Sequence, residues 1–265
     1  MKLPSIDGIG VKKKFGQHFL KDKNILNKIV DAANLDKTSS VFEIGGGSGF
    51  LTEVILEREL EHLWVFEIDS EWAQYLRKKF DDPRLEIFEQ NILDLNFDMF
   101  EKYKPWTLIA NLPYQITFPI LYLLVRNIKL LKEGVIMVQE EVGQKIVRTY
   151  GRDYGFPSLY LQYFFNWKLL EKISPNSFYP PPKVDSRVLH FEPRKDKPEI
   201  PDEDKFWKFI KLCFSQPRRT LGNNLKSAHY DLNLIDEKTL NLRAQQMSFD
   251  DLLSVWQKLN SSALE

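Results

Sequence analysis

Val41-Phe42-Glu43-Ile44-Gly45-Gly46-Gly47-Ser48-Gly49 runs from a short strand-like stretch into a glycine-rich turn, and the apolar spacing of Leu51 to Arg58 then predicts a helix. A strand, a glycine turn and a helix in that order open a nucleotide-binding α/β sheet. Outward from this unit the alternation continues. Leu63 to Ile68 reads as a second strand closing on Glu67 and Asp69, followed by a helix from Glu71 to Phe80. Short strands at Leu85 to Phe88 and Leu108 to Ala110, a helix from Ile120 to Asn127 and a strand from Gly134 to Gln139 complete the series. Upstream, Asn24 to Ala33 carries apolar residues at helical spacing. The fold class is therefore α/β: a largely parallel Rossmann-like sheet with helices on both faces.

Between Lys168 and Phe191 the pattern changes to a strand, a proline-rich loop from Pro175 to Pro182 and a second strand, which reads as an antiparallel edge hairpin. Glu192 to Asp204 is rich in Pro, Lys and acids and reads as a linker. Phe206 to Leu259 has helical periodicity without strand signal. The expected division is thus a sheet domain over 1–194 and a small helical domain over 195–265.

The 265 residues, 43% of them hydrophobic, are enough for a core that needs no covalent staples. The single cysteine, Cys213, excludes an internal disulfide and a Cys-based zinc site, and its apolar surroundings read as a buried helical face. No metal is expected. The basic start, Lys12 to Lys14, precedes no apolar leader, and no stretch has the length of a membrane span, so a cytoplasmic location is expected. With 37 basic and 37 acidic residues the net charge is zero, so a nucleic-acid partner must meet local clusters. The candidates are Lys12 to Lys14 with Lys21 and Lys23, Arg148 with Arg152, and Arg218-Arg219 with Lys226; each could equally be a solvated surface.

The glycine turn spells Gly45-x-Gly47-x-Gly49 before Phe50, not the G-x-G-x-x-G of dinucleotide enzymes. Glu67, 22 residues after Gly45, is placed to accept two hydrogen bonds from ribose hydroxyls. A nucleoside cofactor follows, and a nicotinamide enzyme stays open on this turn alone. Asn111-Leu112-Pro113-Tyr114 adds the chemistry. An exocyclic base amine is a poor nucleophile while its lone pair is delocalised into the ring. The Asn111 side-chain oxygen and the Leu112 or Pro113 carbonyl could accept its N–H bonds and favour a pyramidal transition state. Tyr114 would stack on the base, as in pockets for flipped bases. The same four residues could also be a strand end, a proline turn and a core aromatic.

With these residues in view, the chain resembles the ribosomal-RNA adenine dimethyltransferase family, and within it the small-subunit type. The resemblance runs through Phe15-Gly16-Gln17-His18-Phe19-Leu20, Glu43-Ile44-Gly45 with Leu51-Thr52, Glu67-Ile68-Asp69, Asn111 to Tyr114 and Asp153-Tyr154-Gly155. It continues through Phe178 to Ser186, Phe214-Ser215-Gln216, Arg218 to Leu221 and Leu225, nearly the whole chain. It implies S-adenosylmethionine as donor and, as acceptors, two adjacent adenosines in the 3′-terminal hairpin of small-subunit rRNA, within a ribosomal subunit or precursor particle. Each would be dimethylated on its amine, with a role in subunit biogenesis. A monomer is expected. By motif position, Gln17, His18, Leu20, Gly45, Gly47, Glu67, Asn91 and Asn111 bind the cofactor: His18 and Leu20 over its methionine end, Glu67 on the ribose, Asn91 at the adenine. Asn111, Leu112, Pro113, Tyr114 and Phe178 serve catalysis, Phe178 facing Tyr114 across the target base.

Two positions depart from the family pattern. Asn91 stands where the family usually has Asp, which weakens the acceptor offered to the adenine amine. Pro217 stands where a basic residue is usual, which removes charge from the Gln216 to Arg219 turn. Of His18, His62, His190 and His229, only His18 falls in a site motif; His62 and His190 read as structural or surface residues, and no general base is obvious. A large-subunit, resistance-type methyltransferase and a non-catalytic ribosome-assembly factor are the alternatives. Lys183 to Ser186 with Arg218-Arg219 speak against the first, and intact Asn111 to Tyr114 and Glu67 against the second.

Overall fold

The computed structural model describes residues 5–228 and 230–261, so His229 lies outside the described residues. Seven strands share one sheet: β1 (Ser40–Ile44), β2 (His62–Glu67), β3 (Leu85–Glu89), β4 (Trp106–Asn111), β5 (Leu131–Gln139), β6 (Phe165–Ile173) and β7 (Ser186–Pro193). Their order is β3-β2-β1-β4-β5-β7-β6. The first five are mutually parallel, and β7 runs antiparallel to both β5 and β6, as the edge hairpin requires. The chain order reverses between β1 and β4, the switch point where open α/β sheets collect ligands beyond their carboxyl ends.

Alternation along the central strands gives the sheet two different faces. Phe42, Trp64, Phe66 and Trp106 point to one side and pack with Phe100 as an aromatic cluster, the Phe42 ring lying 4.4 Å from Trp106 and 5.1 Å from Phe100. Val41, Leu63, Val65, Ile109 and Val135 point to the other, against α1 (Lys23–Asp31) and α2 (Phe50–Leu56). Helices α3 (Ser70–Lys79) and α4 (Thr117–Arg126) connect later strands. Asp22 caps α1 and Asp69 caps α3 through side-chain oxygens on free amides of the first turn.

The chain forms two compact units, Met1–Gly143 with Phe165–Pro193, and Gln144–Phe164 with Arg194–Glu265. The expected single division at 194/195 is therefore corrected: a segment from before β6 belongs with the helical unit. The reason is the apolar face of α6 (Phe156–Phe164), which follows α5 (Glu140–Val147) and whose Tyr160 and Tyr163 rings pack on Trp207 at 4.8 and 5.1 Å. Trp207 lies on α7 (Glu203–Cys213); Phe206, Phe209, Cys213 and Trp256 make up that unit's core. From residue 194 on, the described residues contain helices only. No described helix is long and apolar enough to cross a membrane.

Candidate active site

Gly45, Gly47 and Gly49 adopt φ of +78°, +48° and +77° after β1, where a side chain costs about 1–2 kcal/mol. Their surroundings differ. A Cβ on Gly47 would lie 2.5 Å from the Phe19 ring, and one on Gly49 2.7 Å from Phe80, whereas one on Gly45 would meet nothing within 4 Å. Gly47 and Gly49 make room for neighbouring side chains; Gly45 leaves its backbone open to approach by a ligand.

Glu67, at the end of β2, is only 4% exposed. Its Oε2 accepts the Gly47 N–H and its Oε1 the Asp69 N–H, both at 2.8 Å. Each oxygen keeps a lone pair, so two hydroxyls can still be accepted. Burial raises its pKa, and the amides of Asp69 and Gly47 oppose that rise. Gln17, expected at the cofactor, instead braces the N-terminal segment: Oε1 accepts the Lys12 N–H at 2.8 Å and Nε2 donates to Asp69 Oδ2 at 3.1 Å. Lys12 Nζ closes the clamp on Asp69 Oδ1 at 2.6 Å. Beneath the glycine turn, Glu43 is fully buried; burial pushes its carboxyl up to about 8, and Oε2 accepts from Thr52 Oγ1 at 2.7 Å while Oε1 has no partner.

Asn111 ends β4. Its Nδ2 donates to the His18 carbonyl at 3.0 Å, and its Oδ1 accepts nothing among the described residues. The Pro113 carbonyl accepts both the Ile116 N–H at 3.1 Å, closing a turn, and the Thr117 hydroxyl at 3.4 Å, while the Leu112 carbonyl accepts no hydrogen bond among the described residues. Of the two carbonyls considered from sequence, Leu112 is therefore the available one. Tyr114 Oη shares a 2.7 Å hydrogen bond with Ser186 Oγ, and its ring stacks on His18 with centroids 6.0 Å apart. Burial raises the Tyr114 pKa and keeps the phenol neutral. His18 Nδ1 lies 2.7 Å from the Pro180 carbonyl. A carbonyl only accepts, so Nδ1 carries the proton.

A two-residue ladder, Phe178 opposite Leu20 and Tyr179 opposite Phe19, ties the N-terminal motif to the proline-rich loop. Its register turns Leu20 and Phe178 into the aliphatic core with Leu26 and Ile29. This corrects the expectation for Phe178: it lies in the core and is only 2% exposed, so it offers no face to a base, while Tyr179, on the other face, is 37% exposed. Leu20 is likewise a core side chain.

Asn91 follows β3. Its Oδ1 accepts the Leu93 N–H at 3.1 Å and its Nδ2 donates to Asp94 Oδ2 at 3.0 Å. Asp94 is not among the residues singled out from sequence, although an acid three residues after an Asn at a strand end is a readable turn signal. Among the other sequence candidates, Lys12 and Lys23 are spent on internal ion pairs with Asp69 and Glu57. Arg148, Arg152, Arg218 and Arg219 are exposed and have no ion pair among the described residues; the side chain of Lys13 lies outside the described ones. Cys213 is buried, and burial pushes its pKa far up, as befits a core thiol. His62 stacks on Trp64 at 5.2 Å, and His190 Nε2 bonds the buried Glu133 at 2.8 Å, so both serve the fold.

The sheet order, the open glycine after β1, the acid after β2 and the Asn-Leu-Pro-Tyr end of β4 define a Rossmann-like methyltransferase. The chain belongs to the ribosomal RNA adenine dimethylase family, whose model matches residues 9–260. It is 37% identical over 249 residues to the ribosomal RNA small subunit methyltransferase A of Chlorobium luteolum, covering 94% of this chain and 89% of that protein. A dimethyladenosine transferase from Plasmodium falciparum shares its fold with a TM-score of 0.79 at 23% identity, covering 92% of this chain and 98% of that one. The 23S rRNA methyltransferase ErmE gives 0.70 at 24% identity, covering 91% and 99%. At such identities both solved structures speak to the fold alone.

Proposed function

We propose that this enzyme uses S-adenosylmethionine to dimethylate the exocyclic amines of two adjacent adenosines in the 3′-terminal hairpin of small-subunit rRNA, as a step in subunit biogenesis. The Chlorobium relative's name supports the small-subunit target. The observation that carries the chemistry is the orientation of Asn111: His18 holds its Nδ2, so its Oδ1 is left as a free acceptor, as is the carbonyl of the next residue, Leu112, among the described residues. Two acceptors bind the two N–H groups of an amine, draw its lone pair out of conjugation and aim it.

The residues fit the donor. Gly45 offers open backbone and Glu67 keeps two lone pairs for the ribose, while Tyr114 would stack on the acceptor base. When bound, the donor supplies an electrophilic methyl group on a sulfonium. The methyl–sulfur bond would break as the amine nitrogen bonds the methyl carbon, the donor would leave as a neutral thioether and the amine's proton would pass to solvent, so positioning is the protein's main contribution, on the order of 7–11 kcal/mol at its upper end. The unpaired arginines of the helical unit fit the phosphates of the RNA. Labelled donor incubated separately with unmethylated small and large subunits tests the reading. Label in small-subunit RNA is expected; label in large-subunit RNA alone would overturn it.

A further inference from the structure

The acceptor missing at position 91 has a counterpart three residues on. Sheet order fixes where it acts: Glu67 ends β2, the target amine is bound at Asn111 on β4, and β3 flanks β2 on the opposite side. A donor whose ribose rests on Glu67 and whose methyl group points to Asn111 must extend its base toward the end of β3. The loop there is tied to Glu67 by the Gln90 N–H on the Glu67 carbonyl at 3.2 Å. Asn91 is the next residue in it.

We propose that Asp94, acting through the Asn91 amide, is the positioning residue that makes this loop selective for the exocyclic amine of the donor's adenine. The inference rests on the methyl-donor reading above. Asn91 Nδ2 donates to Asp94 Oδ2 at 3.0 Å, and the Asp94 N–H returns to the Asn91 carbonyl at 3.0 Å, closing the turn. The carboxylate can only accept, so it fixes which way the amide points: Oδ1, not the NH2 group, faces away from Asp94. Oδ1 spends one lone pair on the Leu93 N–H and keeps the other. A charged acceptor on one end of an amide polarises it and strengthens the acceptor at the other end. Asp94 is exposed and has no ion pair among the described residues. The negative charge that the family pattern places at position 91 is thereby moved one hydrogen bond back. A base bearing an amine meets an acceptor there; a base bearing a carbonyl meets a like partial charge.

The geometry also reverses a simple expectation. Asn91→Asp, which restores the family residue, would set two like charges about 3 Å apart where an amide now donates to a carboxylate, and would lose the hydrogen bond that closes the turn. Moving the charge rather than adding it, by Asn91→Asp with Asp94→Asn, keeps one carboxylate and one amide in the turn.

The test is calorimetry on the full chain with S-adenosylhomocysteine and its 6-oxo analogue S-inosylhomocysteine. Asp94→Asn is expected to weaken the adenosyl compound by roughly three- to tenfold and to leave the inosyl compound unchanged. Asn91→Asp alone is expected to bind the adenosyl compound no more tightly than the parent chain at pH 7, and the double variant to return to parental affinity or better. Asp94→Asn shifting both compounds equally, or neither, would overturn the inference; so would tightening by Asn91→Asp alone, or a double variant no better than Asp94→Asn. Failure of the parent chain to bind the adenosyl compound at all would instead overturn the donor reading on which the inference stands.

Discussion

The Asn111 amide donates to the main-chain carbonyl of His18 at 3.0 Å, so the segment ahead of the first helix decides which atom Asn111 presents at the end of β4. Asn111→Ala removes the acceptor and should lower the transfer rate about a hundredfold or more, with a thermal melt close to that of the parent chain. Asn111→Asp keeps an acceptor but sets a carboxylate against the His18 carbonyl, and should be similarly inactive. Single-turnover rates check both; a near-normal rate for Asn111→Asp would show that the His18 carbonyl does not orient the side chain.

The glycine turn allows two roles to be separated. Gly47→Ala would force a Cβ to 2.5 Å from the Phe19 ring at φ +48°, so it should lower the melting temperature by several degrees. Gly45→Ala meets open space and bears only the conformational cost, but it fills the approach to the backbone. It should melt higher than Gly47→Ala yet lose donor affinity by calorimetry. Equal melts with equal donor binding would contradict the assignment.

Glu43 makes stability depend on pH in a defined direction. Its folded pKa is raised to about 8, above the ordinary carboxylate value, because burial disfavours the charged form. The folded state therefore holds a proton that the unfolded chain has released, and this contribution is full at low pH and lost as pH rises toward 8. Glu43→Gln keeps an oxygen for Thr52 and cannot ionise. Melting temperatures from pH 5 to 9 should fall more steeply for the parent chain than for the variant; parallel curves would show that Glu43 ionises normally.

The alternating elements are legible in the sequence because each has a clear period: the two-faced strands Val41 to Ile44 and Leu63 to Glu67, and the amphipathic helices between them. Asn111 and Glu67 are legible because they stand at strand ends, where chemistry collects. The placement of Phe178 is not, since it depends on a ladder of two residues too short to leave a period. Nor is the allegiance of α6, which is set by the partner of its apolar face, Trp207, more than forty residues away in sequence. Gln17 escapes for a related reason: its partner Asp69 is remote, so nothing near it in the chain shows that both ends of its amide are occupied.

Arg218 and Arg219 lie in a turn closed by the Arg219 N–H on the Gln216 carbonyl at 2.9 Å. Replacing both with Glu should weaken binding to the small subunit and flatten its salt dependence by about one unit of slope for each phosphate that is no longer neutralised. Donor affinity should stay unchanged. Filter binding across a salt series reads this directly, and an unaltered slope would return the pair to an ordinary solvated surface.

The most direct measurement is nucleoside mass spectrometry on fragments of small-subunit RNA, taken from particles that lack the modification and then treated with this enzyme and S-adenosylmethionine. Two adjacent adenosines of the 3′-terminal hairpin should each carry two methyl groups on the exocyclic nitrogen, and particles treated with the Asn111→Ala variant should carry none. Methylation at a ring nitrogen, on another base, or undiminished in the Asn111→Ala variant would contradict the account of an amine held between the Asn111 oxygen and the Leu112 carbonyl.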